Sequence, residues 1–148
     1  MICVGRARKA PEAALFERYT ARLPWPLTLR EVDERRPLKG GELKRREARL
    51  LLAQVPEGAR LVALDERWRD LSSAELAAII GGWRDDGCRD AAFVIGGADG
   101  LDKSVRERAD LVLALGRATW PHMLVRAMLA EQIYRVYAIL SGHPYHRA

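Results

Sequence analysis

Short apolar runs alternate with helix-length amphipathic stretches along the whole chain, and this alternation restricts the fold more than any other feature of the sequence. Leu61-Val-Ala-Leu64, Ala91-Ala-Phe-Val-Ile95 and Leu111-Val-Leu-Ala-Leu115 are continuous apolar runs of strand length, the pattern of strands covered on both faces. Ile2–Val4 gives a very short first strand and Leu27–Val32 another. Helices are predicted between them. One runs from Pro11 to Arg22, with proline at its start, and one from Gly41 to Gln54, stopping before Pro56. Ser72-x-x-Glu75 has the form of a capping box and opens a helix to about Trp83. A short helix spans Leu101 to Arg108, and a long one runs from Pro121 to about Leu140, leaving Ser141–Ala148 as a tail. Such β/α alternation requires a mostly parallel sheet with helices on both faces. At 148 residues, 49% of them hydrophobic, the chain suits a single domain over residues 1–148 with a sizeable core.

Ligands of parallel sheets gather outside the carboxyl ends of the strands. Three loops leave those ends here: after Leu64, after Ile95 and after Leu115. The middle one reads Phe93-Val-Ile-Gly96-Gly97-Ala-Asp-Gly100. Glycines there let the backbone approach a ligand closely. The run is not the dinucleotide fingerprint, which needs G-x-G-x-x-G and a later acid. A tight strand-to-helix turn accounts for it equally well.

The last helix sets Leu124, Met128, Glu131 and Arg135 close to one face, while Val125, Leu129, Ile133, Val136, Tyr137 and Leu140 make its other faces apolar. A helix apolar nearly all round is buried, and in a chain this small a subunit interface is the expected place. Glu131 and Arg135 form an i, i+4 pair with the acid on the favourable N-terminal side. The tail His143-Pro-Tyr145-His146-Arg147 packs donors, a stacking ring and a cation into five residues. With no carboxylate or cysteine at ligand spacing, nucleotide contact is expected there in place of metal.

Charge adds a partner class. Lys and Arg total 25 against 20 acids, a formal +5, and they cluster at Arg6, Arg8, Lys9, at Arg35, Arg36, Lys39 and at Lys44, Arg45, Arg46, Arg49. Such clusters favour a polyanion, although for residues 44–49 alone a solvated helix face is the expected reading. Cys3 and Cys88 have no paired spacing and read as reduced thiols. No apolar stretch is long enough to cross a membrane and no signal-peptide pattern opens the chain, so a cytoplasmic protein is expected.

Read together, Leu64-Asp65 followed by Ser72-Ser73-x-Glu75, the Phe93–Leu101 run, Pro121-His122-x-Leu124-x-Arg126-x-x-Leu129-x-Glu131-Gln132-x-Tyr134-Arg135, and Gly142-x-Pro144-Tyr145-His146 carry a resemblance over almost the whole chain. They resemble the SPOUT methyltransferases, and among them the family that methylates a pseudouridine of large-subunit ribosomal RNA. The resemblance implies an α/β SPOUT fold with a C-terminal trefoil knot and a homodimer joined through the last helix. It implies S-adenosyl-L-methionine as cofactor, held by Leu64, Gly96 and the run Leu115, Gly116, Arg117, Ala118, Thr119, Trp120. It also implies N3-methylation of a pseudouridine in the 23S rRNA of the assembled ribosome, with no metal. Catalysis is then expected from Glu131, Arg135, Tyr145, His146 and Arg147. Arg135 or Arg147 would stabilise charge, Tyr145 and His146 would position the base, and His146 or Glu131 would accept a proton. One subunit's short tail would complete the other's site.

Two departures from the family pattern stand out: the first strand is short, and Glu66-Arg67-Trp68-Arg69 is more basic and aromatic than the turn usual there. Competing readings are a SPOUT enzyme acting on tRNA or another RNA, and a non-catalytic ribosome-binding module. The intact loop and tail motifs weigh against both, and the missing fingerprint weighs against a Rossmann nucleotide-binding domain.

Overall fold

The computed structural model describes residues 1–7 and 11–146. Its elements follow in the order β1 (Ile2–Val4), α1 (Pro11–Thr20), β2 (Arg30–Val32), α2 (Gly40–Leu52), β3 (Arg60–Leu64), α3 (Ser73–Asp85), β4 (Ala91–Ile95), α4 (Lys103–Arg108), β5 (Leu111–Leu113) and α5 (His122–Ser141). The five strands form one sheet in the order β2-β1-β4-β3-β5, and every pairing is parallel. The central ladder pairs β3 with β4 over their full length, from Arg60 with Ala91 to Leu64 with Ile95.

Period-2 alternation divides the strand side chains between two cores. Cys3, Val62, Phe93, Ile95 and Leu113 face one layer, together with Leu76, Ala77, Leu129, Ile133 and Val136 of α3 and α5. Ile2, Val4, Leu61, Ala63, Ala92 and Val94 face the other, with Ala48 and Leu51 of α2 and Val105 of α4. This is the three-layer arrangement that both-face burial requires. The helix α5 packs against α1 and α3, so much of its apolar circumference is used inside the chain.

Some boundaries move. Sheet pairing takes up only Arg30–Val32 of the stretch predicted from Leu27; Leu27 and Leu29 pack instead as irregular chain against the α3/α5 core. The last strand ends at Leu113, and Ala114 makes a single bridge to Asp70, which frees Leu115 for the loop. The capping box forms as read: Ser72 Oγ accepts from the Glu75 N–H and the Glu75 carboxylate accepts from the Ser72 N–H. Among the described residues no helix is long and apolar enough to cross a membrane.

Candidate active site

The parallel sheet brings the loops after β3, β4 and β5 to one end, where they enclose a cavity of about 360 Å³, within the range of a small-cofactor site. Of the residues that the family resemblance implies for the cofactor, Leu64, Gly96, Leu115, Gly116, Ala118, Thr119 and Trp120 line it; Arg117 belongs to the same loop but is not part of the lining. The walls are apolar (Ile95, Leu113, Val125), and Glu66 and Asp99 bring carboxylates to it. The β4 loop leaves little room for side chains at Gly96 and Gly97. A Cβ on Gly96 would lie 3.0 Å from the Gly100 carbonyl carbon and 3.1 Å from the Leu101 nitrogen, and one on Gly97 would meet the Glu47 carboxylate at 3.0 Å. A cavity that joins apolar walls to main-chain groups and to the charged side chains of Asp65, Glu66, Arg67 and Asp99 suits a ligand that carries both a flat ring system and charged groups.

Ion pairs hold the loops in place. Asp65, at the end of β3, is buried and accepts from the Arg67 N–H at 3.0 Å and from Arg106 Nη1 at 3.0 Å. Arg106 also donates to the Leu101 carbonyl at 2.7 Å, which ties the β3 and β4 loops together. Trp120 Nε1 closes the third loop on the Leu115 carbonyl at 3.0 Å. Trp68 is 57% exposed and lies outside the cavity, beside a groove along β5.

Sequence reasoning assigned no role to two residues at the start of α5. His122 lines the cavity, and burial, then the neighbouring Arg126 charge, lowers its basicity. Arg126 is only 3% exposed; it donates to Glu31 at 2.6 Å and to the Val4 and Gly5 carbonyls at 2.9 and 2.8 Å. Burial pushes the Glu31 carboxyl up, but hydrogen bonds from the Ala7 N–H and from Arg126 outweigh it and leave it below the usual range. Arg126 therefore fastens the cavity wall of α5 to the end of β1. The available signal was a single arginine between apolar residues, which must find partners if buried.

The C-terminal residues form a separate cluster. Gly142 caps α5 in the left-handed conformation, φ 67°, and the chain turns back so that the His143 N–H donates to the Ala138 carbonyl at 2.8 Å. Tyr145 thereby reaches Glu131, donating its hydroxyl at 3.0 Å to the same oxygen that accepts from Arg135 Nε at 3.0 Å. The other Glu131 oxygen accepts from Gln132, whose own side chain accepts from Ser73 Oγ. The Arg135 guanidinium lies over the Tyr145 ring, 4.9 Å from its centre, and Tyr134 meets that ring edge-on at 4.7 Å. Burial, then hydrogen bonding to Tyr19 and Glu131, pushes the Tyr145 hydroxyl to higher pKa, so it stays protonated. His146 is half-buried, and its Nδ1 has no hydrogen-bond partner among the described residues. Arg147, predicted for this group, lies outside the described residues, as do Arg8 and Lys9 of the first basic cluster. Among the described residues none beyond Val125 lines the cavity, so Glu131, Arg135, Tyr145 and His146 stand apart from it within one chain. Among the described residues no group of three or more His, Cys, Asp or Glu could hold a metal ion.

A family model described as a predicted SPOUT methyltransferase matches residues 1–146. The chain is 64% identical over 148 residues to a protein of Rhodospirillum centenum named ribosomal RNA large subunit methyltransferase H, covering all of this chain and 97% of that relative. Proteins of the same name from Paramagnetospirillum magneticum and Rhodospirillum rubrum are 60% and 53% identical, covering 97% and 98% of this chain and 95% of each relative.

Proposed function

The chain belongs to the SPOUT methyltransferase family, and from that premise we propose that it is a cytoplasmic enzyme that methylates N3 of a pseudouridine in the 23S rRNA of the assembled ribosome, with S-adenosyl-L-methionine as donor. We further propose a single SPOUT domain over residues 1–148, a C-terminal trefoil knot and a homodimer. The observation that carries the reading is the cavity at the ends of β3, β4 and β5, lined by every cofactor residue expected from the sequence except Arg117. The names of the 53–64% identical relatives support the substrate class.

When bound, S-adenosylmethionine supplies an already activated methyl group. Leu64, Gly96 and the Leu115–Trp120 loop would hold it, largely through main-chain groups. The remaining work falls to this chain's own side chains. They must keep N3 of the base in line with the methyl group, take its proton, and stabilise negative charge spreading onto the flanking carbonyl oxygens. Glu131 is already engaged by Arg135, Tyr145 and Gln132, which favours it as the residue that positions Arg135 and Tyr145. His146, whose Nδ1 has no hydrogen-bond partner among the described residues, is the better proton acceptor, and Arg135 supplies positive charge beside the Tyr145 ring.

Because the cavity and the tail cluster are separate in one chain, the partner subunit's tail would complete each site. Mixed dimers test this. With His146→Ala on one subunit and Gly96→Ala on the other, a shared site keeps about half the methyl transfer to ribosomes, whereas both lesions on one subunit abolish it. The reverse pattern would show that each chain uses its own tail.

A further inference from the structure

The positive charge of the chain is not spread evenly over its two helical layers. On one face of the sheet α2 reads Glu42-Leu-Lys44-Arg45-Arg46-Glu47-Ala-Arg49, and α4 reads Lys103-Ser-Val-Arg106-Glu107-Arg108. On the other face acids and bases nearly balance: α1 has Glu12 and Glu17 against Arg18, α3 has Glu75 and Asp85 against Arg84, and α5 has Glu131 against Arg126 and Arg135. That second layer carries instead the aromatic contacts of Tyr19, Trp25, Tyr134 and Tyr137.

Several of the α2/α4 cations are not used by the fold. Arg46 pairs with Glu34, Lys103 with Glu107 and Arg106 with Asp65. Arg45, Arg49 and Arg108 are exposed, and among the described residues none of them enters an ion pair. Positions 45 and 49 lie one above the other on α2, turned away from the buried Glu47 and Leu51. The two helices sit side by side. Asp102, which caps α4, is held below the usual carboxylate range first by hydrogen bonds from Ser104 and also by the charges of Lys44 and Arg45. The layer begins at the cavity, since Glu47 of α2 underlies Gly97 and α4 continues the β4 loop.

We infer that the exposed face of α2 and α4 is an RNA-docking surface, on which Arg45, Arg49 and Arg108 contact phosphates of ribosomal RNA beside the modified nucleotide. The sequence alone favoured a merely solvated helix face for residues 44–49; the unpaired arginines, their alignment with α4 and their continuity with the cavity alter that reading. Charge complementarity selects a polyanion. The absence of large apolar side chains among the exposed hydrophobics of α2 and α4 disfavours a lipid surface. The inference rests on the rRNA reading above and deepens it.

The test measures binding of the full-length protein to bacterial 70S ribosomes by co-sedimentation, without turnover, from about 50 to 200 mM salt. It compares wild type with R45Q/R49Q and with R84Q/R89Q, which removes the same number of charges elsewhere. The expected result is a log–log salt slope shallower by about 1.5 for R45Q/R49Q, so that wild type loses about eightfold more affinity over that range. S-adenosylmethionine binding should be unchanged, and R84Q/R89Q should behave as wild type. Equal slopes for wild type and R45Q/R49Q, or an equal loss in R84Q/R89Q, would overturn the inference. So would a larger effect on phosphatidylglycerol vesicles than on ribosomes. Wild type that binds ribosomes through this surface but transfers no methyl group would instead count against the proposed reaction.

Discussion

Replacing Arg126 by methionine should loosen the cavity from the sheet. The substitution keeps a side chain of similar length and removes every donor. It orphans the Val4 carbonyl, which is buried, and the Gly5 carbonyl, which is half-buried. Each unsatisfied acceptor costs about 1–3 kcal/mol, the lower end applying to Gly5. The Glu31 pair adds less than a fully buried one, since the Glu31 side chain is 27% exposed and solvent screens it. The sum is about 3–4 kcal/mol, a large share of a typical domain's stability. At about 2–4 °C per kcal/mol, the melting temperature should fall by about 10 °C. Cofactor affinity should fall with it, because the first turn of α5 forms one cavity wall.

The same contact predicts a pH effect. The Glu31 carboxyl is held below its ordinary value, so its contribution is complete above that value and is lost as pH falls through the lowered one. Thermal unfolding followed by circular dichroism at pH 7 and pH 4 on wild type, R126M, E31Q and the double variant measures both effects. R126M and E31Q should each flatten the acid slope, and the double variant should lose less than the two single losses combined. An R126M protein melting within about 2 °C of wild type at pH 7 would refute the reasoning.

Further outcomes follow from other contacts. Glu47 is buried with no ion pair among the described residues, and burial, then the charges of Asp99 and Asp33, raises its pKa; stability should therefore fall as pH rises past the ordinary glutamate value. Glu47→Gln should remove that slope and raise the melting temperature at pH 7 by about 2–4 °C, as scanning calorimetry would show. Gly96→Ala should abolish S-adenosylmethionine binding in calorimetry while the chain remains folded, because its Cβ meets backbone at 3.0 Å. Tyr145→Phe removes the 3.0 Å bond to Glu131 and His146→Ala removes the proposed base; single-turnover methyl transfer should fall about 10-fold and about 10²–10⁴-fold respectively, with cofactor binding unchanged.

Much of the fold was legible because burial on both faces leaves an unmistakable trace in sequence. Ala91–Ile95 and Leu61–Leu64 appeared as apolar runs, and they form the central ladder of the sheet. The order β2-β1-β4-β3-β5 was not legible, since it depends on which strands each crossover helix can cover, and that is decided by contacts between distant parts of the chain. Leu27–Arg30 illustrates the limit: its apolar side chains are half-buried, but only from Arg30 onward does the backbone reach β1. The cavity loops were legible because a parallel sheet fixes where its ligand end must be. The pairing of Arg126 with Glu31, 95 residues apart, was not, and neither was the return of the tail onto Glu131. That return depends on a left-handed glycine and one tyrosine hydroxyl.

The central claim is tested most directly by incubating the purified protein with methyl-labelled S-adenosylmethionine and ribosomes from cells lacking the modification, then resolving the nucleosides of the 23S rRNA. The account predicts label in N3-methylpseudouridine and nowhere else. Label in another nucleoside, or none despite intact cofactor binding, would contradict it.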